Sequence, residues 1–184
     1  MREKLYDNFF CASTIVLALA VMLYSFRIGS WIDYTFSALG RANPVWFVVF
    51  VATMLLAIIS NLWILGRKMN YNGKILYILL FTIVLSGIIV CVFNHEYIVW
   101  IRSIHNTFAK TLNISSGVLL AILLAYRHHR RFSYIAFLAV TAVLSIMSMF
   151  AIGMVAVNQV PVLISIMLVA FIVNCIDPPA VSRV

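Results

Sequence analysis

Six long apolar runs, separated by short polar connectors, dominate this chain of 184 residues. A helix crosses a bilayer with about 20 predominantly apolar residues, and each run approaches or exceeds that length. The predicted spans cover about 9–26, 44–65, 75–93, 104–126, 133–155 and 158–176. The runs are continuous rather than alternating, which argues against the strands of a barrel. With no repeat or linker in evidence, the sequence predicts an all-α polytopic membrane protein, a six-helix bundle forming one domain over residues 1–184.

The composition excludes other classes of protein. Hydrophobic residues make up 65% of the chain and charged residues 10%, whereas soluble domains have about 45–50% and about 25%. Such a chain cannot cover a water-soluble globule with polar surface, and it is far too apolar for intrinsic disorder. Cys11, Cys91 and Cys175 are odd in number and far apart in the sequence, so a disulfide scaffold is not expected.

Basic residues concentrate on one side of the predicted bundle. Nine of the 13 lie on the side of the two chain ends: Arg2, Lys4, Arg67, Lys68, Lys74, Arg127, Arg130, Arg131 and Arg183. The other side has Arg27, Arg41, Arg102 and Lys110. Because positive residues favour the cytoplasm, both termini are predicted to be cytoplasmic, in the cell (inner) membrane. The net charge of +8 suits anionic lipid head groups, so membrane lipids are the expected partners and nucleic acid is not. A protein partner or homo-oligomer stays open.

The fourth span begins with an unusual polar stripe. Asn106, Lys110, Asn113 and Gly117 follow the spacing i, i+4, i+7, i+11 and share one helix face. Lys110 lies roughly 9 Å into the span, at 1.5 Å per residue. A charge at that depth is costly unless it snorkels, pairs or meets water. Two interpretations remain: Lys110 snorkels to the outer surface, or the stripe lines an outward-facing polar pocket roofed by the first outer loop.

The two outer loops add polar residues near this stripe. Asp33, Ser37 and Arg41 recur at four-residue spacing, as one face of a short interfacial helix, although a solvated local salt bridge is the simpler interpretation. Asp33 or Glu96 is the expected charge partner of Lys110. The candidate ligand pocket comprises Asp33, Ser37, Arg41, His95, Glu96, Arg102, His105, Asn106, Lys110 and Asn113.

Two stretches of the chain resemble a known family. They are the Ser-x-Leu-Gly turn leading through Asn-Pro into the second span, and the Ile-His-Asn start of the fourth. Together they resemble the bacterial six-helix family named domain of unknown function 998 (DUF998), itself similar to the Frag1/DRAM/Sfk1 group. The matching positions are Ser37, Leu39, Gly40, Asn43, His105 and Asn106. The resemblance implies a six-helix topology and an outer pocket, but no reaction.

Three functions compete at this stage. The first is a non-catalytic protein whose outer pocket binds a lipid head group or small amphipathic ligand, with no cofactor or metal. The second is an intramembrane metal-dependent hydrolase, in which Asp33, His95 and His105 would hold zinc and Glu96 would act as base. The third is a structural or assembly partner without ligand, whose polar fourth helix is a helix–helix contact face.

Other polar and small residues are expected to be structural. Asn61 and Asn174 are predicted to hydrogen bond across helices near the inner interface. Gly87 is predicted to let two helices approach closely. Pro161 is predicted in the first turn of the last helix, where its missing N–H costs nothing.

Overall fold

The computed structural model describes residues 2–30, 35–93, 98–127, 130–152 and 156–177, and over these ranges the chain is helical without any strand. The α-helices are α1 (Arg2–Tyr24), α2 (Phe36–Ala42), α3 (Pro44–Lys68), α4 (Lys74–Val92), α5 (Val99–Arg127), α6 (Arg131–Ile152) and α7 (Ala156–Cys175), and a short 3-10 turn, Ser25–Arg27, continues α1. The predicted all-α class is therefore confirmed for the described part of the chain.

Five of the described helices are long and apolar enough to cross a membrane: α1 with its following turn, α3, α4, α5 and α6. The apolar part of α7, Pro161–Cys175, is shorter. The described chain thus has the helices that a membrane-embedded protein requires. Four of them begin before the predicted spans, and the difference is largest for α1, which starts at Arg2, and α5, which starts at Val99.

Helix α3 is the centre of the bundle. It packs against α1, α2, α4, α5 and α7, and 61% of its apolar segment is buried, the largest share among the long helices. Its start is well defined in the sequence. Asn43 caps the helix, its Oδ1 accepting the N–H of Trp46 at 3.0 Å, and Pro44 occupies the first helical position. Both residues suit these positions, because one satisfies an orphan donor and the other has no N–H to satisfy.

The close approach of α3 and α4 depends on Gly87. A Cβ atom at this position would lie 2.4 Å from Leu55 Cδ1, so any larger residue requires Leu55 to move. The prediction that Gly87 allows close helix packing is confirmed.

Polar side chains join α1, α3 and α7 at one end of the bundle. The Nδ2 of Asn174 donates to the carbonyl of Asn61 at 2.8 Å, which confirms the predicted cross-helix bond. Lys68 Nζ donates to Asn8 Oδ1 at 2.9 Å and to the carbonyl of Asn174 at 2.8 Å. The guanidinium of Arg67 pairs with the Asp7 carboxylate beside them. The start of α1 and the ends of α3 and α7 therefore lie together.

The start of α6 lies at the same end of the bundle as the start of α1 and the ends of α3 and α7. The hydroxyl of Tyr134 donates to Asp177 Oδ2 at 3.0 Å, and Arg130 Nε lies 4.0 Å from that oxygen. Because Tyr134 lies in the first turn of α6 and Asp177 follows α7, the two helices run antiparallel. We call this end of the bundle, with Lys68, Lys74, Arg127 and Arg130, the basic end.

The prediction for Pro161 was wrong by one turn. Helix α7 begins at Ala156, so Pro161 lies inside the helix rather than in its first turn. A proline there removes the hydrogen bond to the carbonyl four residues earlier, and its ring crowds that carbonyl. The helix nevertheless continues on both sides of Pro161.

Candidate functional site

A cavity of about 440 Å³ lies in the half of the bundle away from the basic end. Four helices supply most of its wall, and α4 contributes Val90. The lining residues are Phe47, Phe50, Val51, Met54, Leu55, Val90, Asn106, Ala109, Lys110, Leu112, Asn113, Ile114, Ile146, Met149, Val162 and Leu163. The volume falls within the range of about 300–1,000 Å³ that is typical of ligand sites.

The polar residues of this lining are Asn106, Lys110 and Asn113, all from the stripe on α5. Their spacing of four and three residues places them on one face of the helix. The rest of the described lining is apolar. The cavity is therefore amphipathic, with one polar strip along α5 and hydrocarbon walls from α3, α6 and α7.

Asn113 has an unsatisfied acceptor. Its Nδ2 donates to the carbonyl of Ala109 at 2.9 Å, whereas its buried Oδ1 has no hydrogen-bond partner within the described structure. An unpaired buried acceptor costs about 1–3 kcal/mol.

Lys110 is the charged residue of the described lining, and no carboxylate accompanies it there. Its side chain lines the cavity and is also exposed at the surface of the bundle. The polar strip thus has a positive charge at the rim of the cavity, which favours an anionic group.

His105 lies behind the cavity wall rather than in it. Its side chain is 2% exposed, and its Nδ1 donates to the carbonyl of Val90 at 3.1 Å. That carbonyl is in the last turn of α4, where backbone acceptors lack intrahelical partners. The imidazole also packs against the ring of Phe47, with 6.2 Å between centroids. His105 therefore positions Val90 and Phe47, which both line the cavity.

Helix α2 supports the same wall from outside. A Cβ atom on Gly40 would lie 2.4 Å from Phe47 Cδ2, so the backbone of α2 rests directly on that ring. Of the predicted pocket residues, Ser37 and Arg41 lie in α2, and Arg41 is half-buried. Arg41 does not belong to the cavity lining, and the side chain of Ser37 lies outside the described structure. The roof predicted from the first outer loop stays a prediction, and the described helix of that loop, α2, packs behind Phe47.

The remaining predicted pocket residues fall elsewhere. Arg102 is exposed in the first turn of α5 and does not line the cavity. Asp33, His95 and Glu96 lie outside the described residues, so the expected ion pair of Lys110 stays a prediction. The same holds for the zinc site that would use Asp33 and His95. Within the described ranges, no three His, Cys, Asp or Glu side chains group closely enough to hold a metal ion.

The apolar walls of the cavity could not be predicted from the sequence. Phe47, Phe50 and Met54 of α3, and Ile146 and Met149 of α6, line the cavity together. Each is an ordinary apolar residue of a long apolar helix. Only the packing of separate helices brings them around one space, and no local pattern marks such residues.

Comparison of the chain with protein-family models, with curated proteins and with solved structures finds no match. The resemblance to DUF998 therefore stays a prediction from the two short motifs.

Proposed function

We propose that the chain is a non-catalytic membrane protein with six spans, α1 and α3 to α7, that binds the polar head of an amphipathic ligand in the cavity beside α5. The basic end faces the cytoplasm, both termini lie there, and the cavity lies in the outer half of the membrane.

The arrangement of helix ends supports six spans. Helix α7 has 20 residues, which is roughly 30 Å at 1.5 Å per residue and matches the hydrocarbon thickness of a bilayer. The contacts of Asp177 with Tyr134 and Arg130 bring the end of α7 to the basic end. Asn8 of α1 reaches the same end through Lys68. These contacts support an even number of spans.

The amphipathic character of the cavity carries the proposal. Asn106, Lys110 and Asn113 face a space bounded otherwise by apolar side chains. Ligand sites are typically concave and mostly apolar, with a few polar groups that orient the ligand. A polar stripe that faces a cavity of this volume supports ligand binding. A structural or assembly role would instead use the stripe as a contact face for another protein.

Filling the cavity tests this proposal. We expect wild-type protein, released from mild detergent, to retain a lipid-sized adduct in native mass spectrometry. Ala109→Phe places a ring in the cavity and should abolish the adduct. Ala125→Phe is the matched control, because Ala125 is exposed on the same helix away from the cavity. Thermal unfolding of both variants establishes that they fold. Equal retention by the two folded variants, or a bare wild-type chain, would contradict the proposal.

A further inference from the structure

The cavity has an opening that its own lining residues reveal. Most of the lining is buried or half-buried, but Lys110, Ile114 and Ile146 are exposed. Ile114 is 64% exposed and Ile146 is 53% exposed. A residue that lines a cavity and also faces the surroundings marks the rim of an opening. Lys110 and Ile114 belong to α5 and Ile146 belongs to α6, so the opening lies between these two helices.

The surroundings of this opening are apolar. Helix α6 is the least buried of the long helices, with 6% of its apolar segment buried, and it packs mainly against α7 and α5. Near the opening it exposes Met147 and Phe150, the latter to 88%. Side chains of this kind face hydrocarbon in a membrane protein, so the opening leads sideways into the bilayer rather than into water.

The chemical groups of the lining indicate which class of ligand the cavity binds. Lys110 supplies a positive point charge with three N–H donors, a common partner of phosphate. Asn106, a half-buried polar residue of the same lining, offers amide hydrogen-bonding groups to a head-group hydroxyl. The apolar walls of α3, α6 and α7 accept hydrocarbon. An anionic head group with a hydroxyl, attached to an acyl chain, satisfies all three features.

We infer that a membrane phospholipid with an anionic, hydroxyl-bearing head group enters this cavity sideways between α5 and α6. Its phosphate contacts Lys110, its hydroxyl reaches Asn106, and one acyl chain lies along the apolar walls. This inference rests on the proposed function and specifies its ligand and its route of entry.

A competition between two lipids tests the ligand. The full chain is placed in micelles doped with equal amounts of phosphatidylglycerol and phosphatidylcholine, and bound lipid is counted by native mass spectrometry. We expect a preference for phosphatidylglycerol that Lys110→Gln lowers about fivefold, as one lysine near an anionic lipid implies. Lys74→Gln is the control. It removes the same charge as Lys110→Gln, but from an exposed residue at the basic end, away from the cavity. An unchanged preference in Lys110→Gln would overturn the inference.

A second comparison tests the route. Ile146→Trp narrows the opening and should reduce bound phosphatidylglycerol, whereas Val140→Trp, on the exposed surface of the same helix, should not. Soluble glycerol 3-phosphate should fail to displace the lipid, because the opening does not lead into water. Displacement by glycerol 3-phosphate, or equal binding by the two tryptophan variants, would overturn sideways entry.

These results separate the inference from the proposed function. If both lipids bind equally, Lys110→Gln has no effect and Ala109→Phe still abolishes binding, the cavity binds amphiphiles and the anionic site is refuted. If Ala109→Phe retains both lipids, the cavity is not the binding site and the proposed function is refuted with it.

Discussion

At the scale of single residues, the structure assigns His105 a capping and positioning role. Replacing His105 with Phe keeps a ring against Phe47 but leaves the carbonyl of Val90 without its donor. We expect the free energy of unfolding to fall by about 1–3 kcal/mol, the cost of an unsatisfied buried polar group. Thermal or denaturant unfolding in detergent measures this change.

Thr107→Val is the control for that variant. Thr107 is exposed on the same helix, and its hydroxyl donates only to the carbonyl of Ser103 within α5. We expect little change in stability there. A His105→Phe variant as stable as the wild type would show that the bond to Val90 contributes nothing.

The spacing of residues predicted part of the candidate site and could not predict the rest. The i, i+4, i+7 pattern placed Asn106, Lys110 and Asn113 on one face, and that face lines the cavity. The pattern determines a face but not what lies opposite it. The burial of His105 could not be predicted from the sequence, because its hydrogen-bond partner is a backbone carbonyl that any residue at position 90 would offer.

At the scale of helices, hydropathy located the long apolar runs but misplaced some helix ends. Helix α5 begins at Val99, ahead of the predicted span at 104, and α1 begins at Arg2 rather than near 9. Hydropathy marks the stretch that tolerates hydrocarbon. The helix itself extends further, because its backbone hydrogen bonds form within the segment whether the side chains are polar or apolar.

Packing between α3 and α4 gives a prediction at this scale. Gly87→Val should clash with Leu55 and lower the free energy of unfolding by about 1–3 kcal/mol, as overpacked cores do. The double variant with Leu55→Ala removes the clashing atoms and should recover part of that loss relative to the sum of the single variants. Unfolding of the four proteins of this cycle is the measurement. Strict additivity would show that the two side chains do not meet.

At the scale of the whole molecule, the number of apolar runs was easier to predict than their arrangement. Helix α4 is at least as apolar as α3, yet α3 is far more buried. Composition therefore did not reveal which helix occupies the centre. The central position of α3 follows from contacts with five other helices, and such contacts depend on the shape of every helix at once.

The orientation of the bundle is testable by labelling from outside intact cells. Single cysteines are placed in a chain whose Cys11, Cys91 and Cys175 are replaced by Ser. A membrane-impermeant maleimide should label Ser103→Cys, near the start of α5, in intact cells. Asn72→Cys, in the connector between α3 and α4 at the basic end, should react only after lysis. Both positions are exposed, so access to the reagent decides the result.

Ile176→Cys, placed just after α7, distinguishes six spans from five. Ile176 is 69% exposed, and the bonds of neighbouring Asp177 hold it at the basic end. We expect it to behave like Asn72→Cys, because an α7 that crosses the membrane brings both chain ends to one side. Labelling of Ile176→Cys in intact cells, with Asn72→Cys protected, would mean that α7 does not cross. The hydrogen bond between Tyr134 and Asp177 would then have to break, because Tyr134 lies in the first turn of α6 at the basic end.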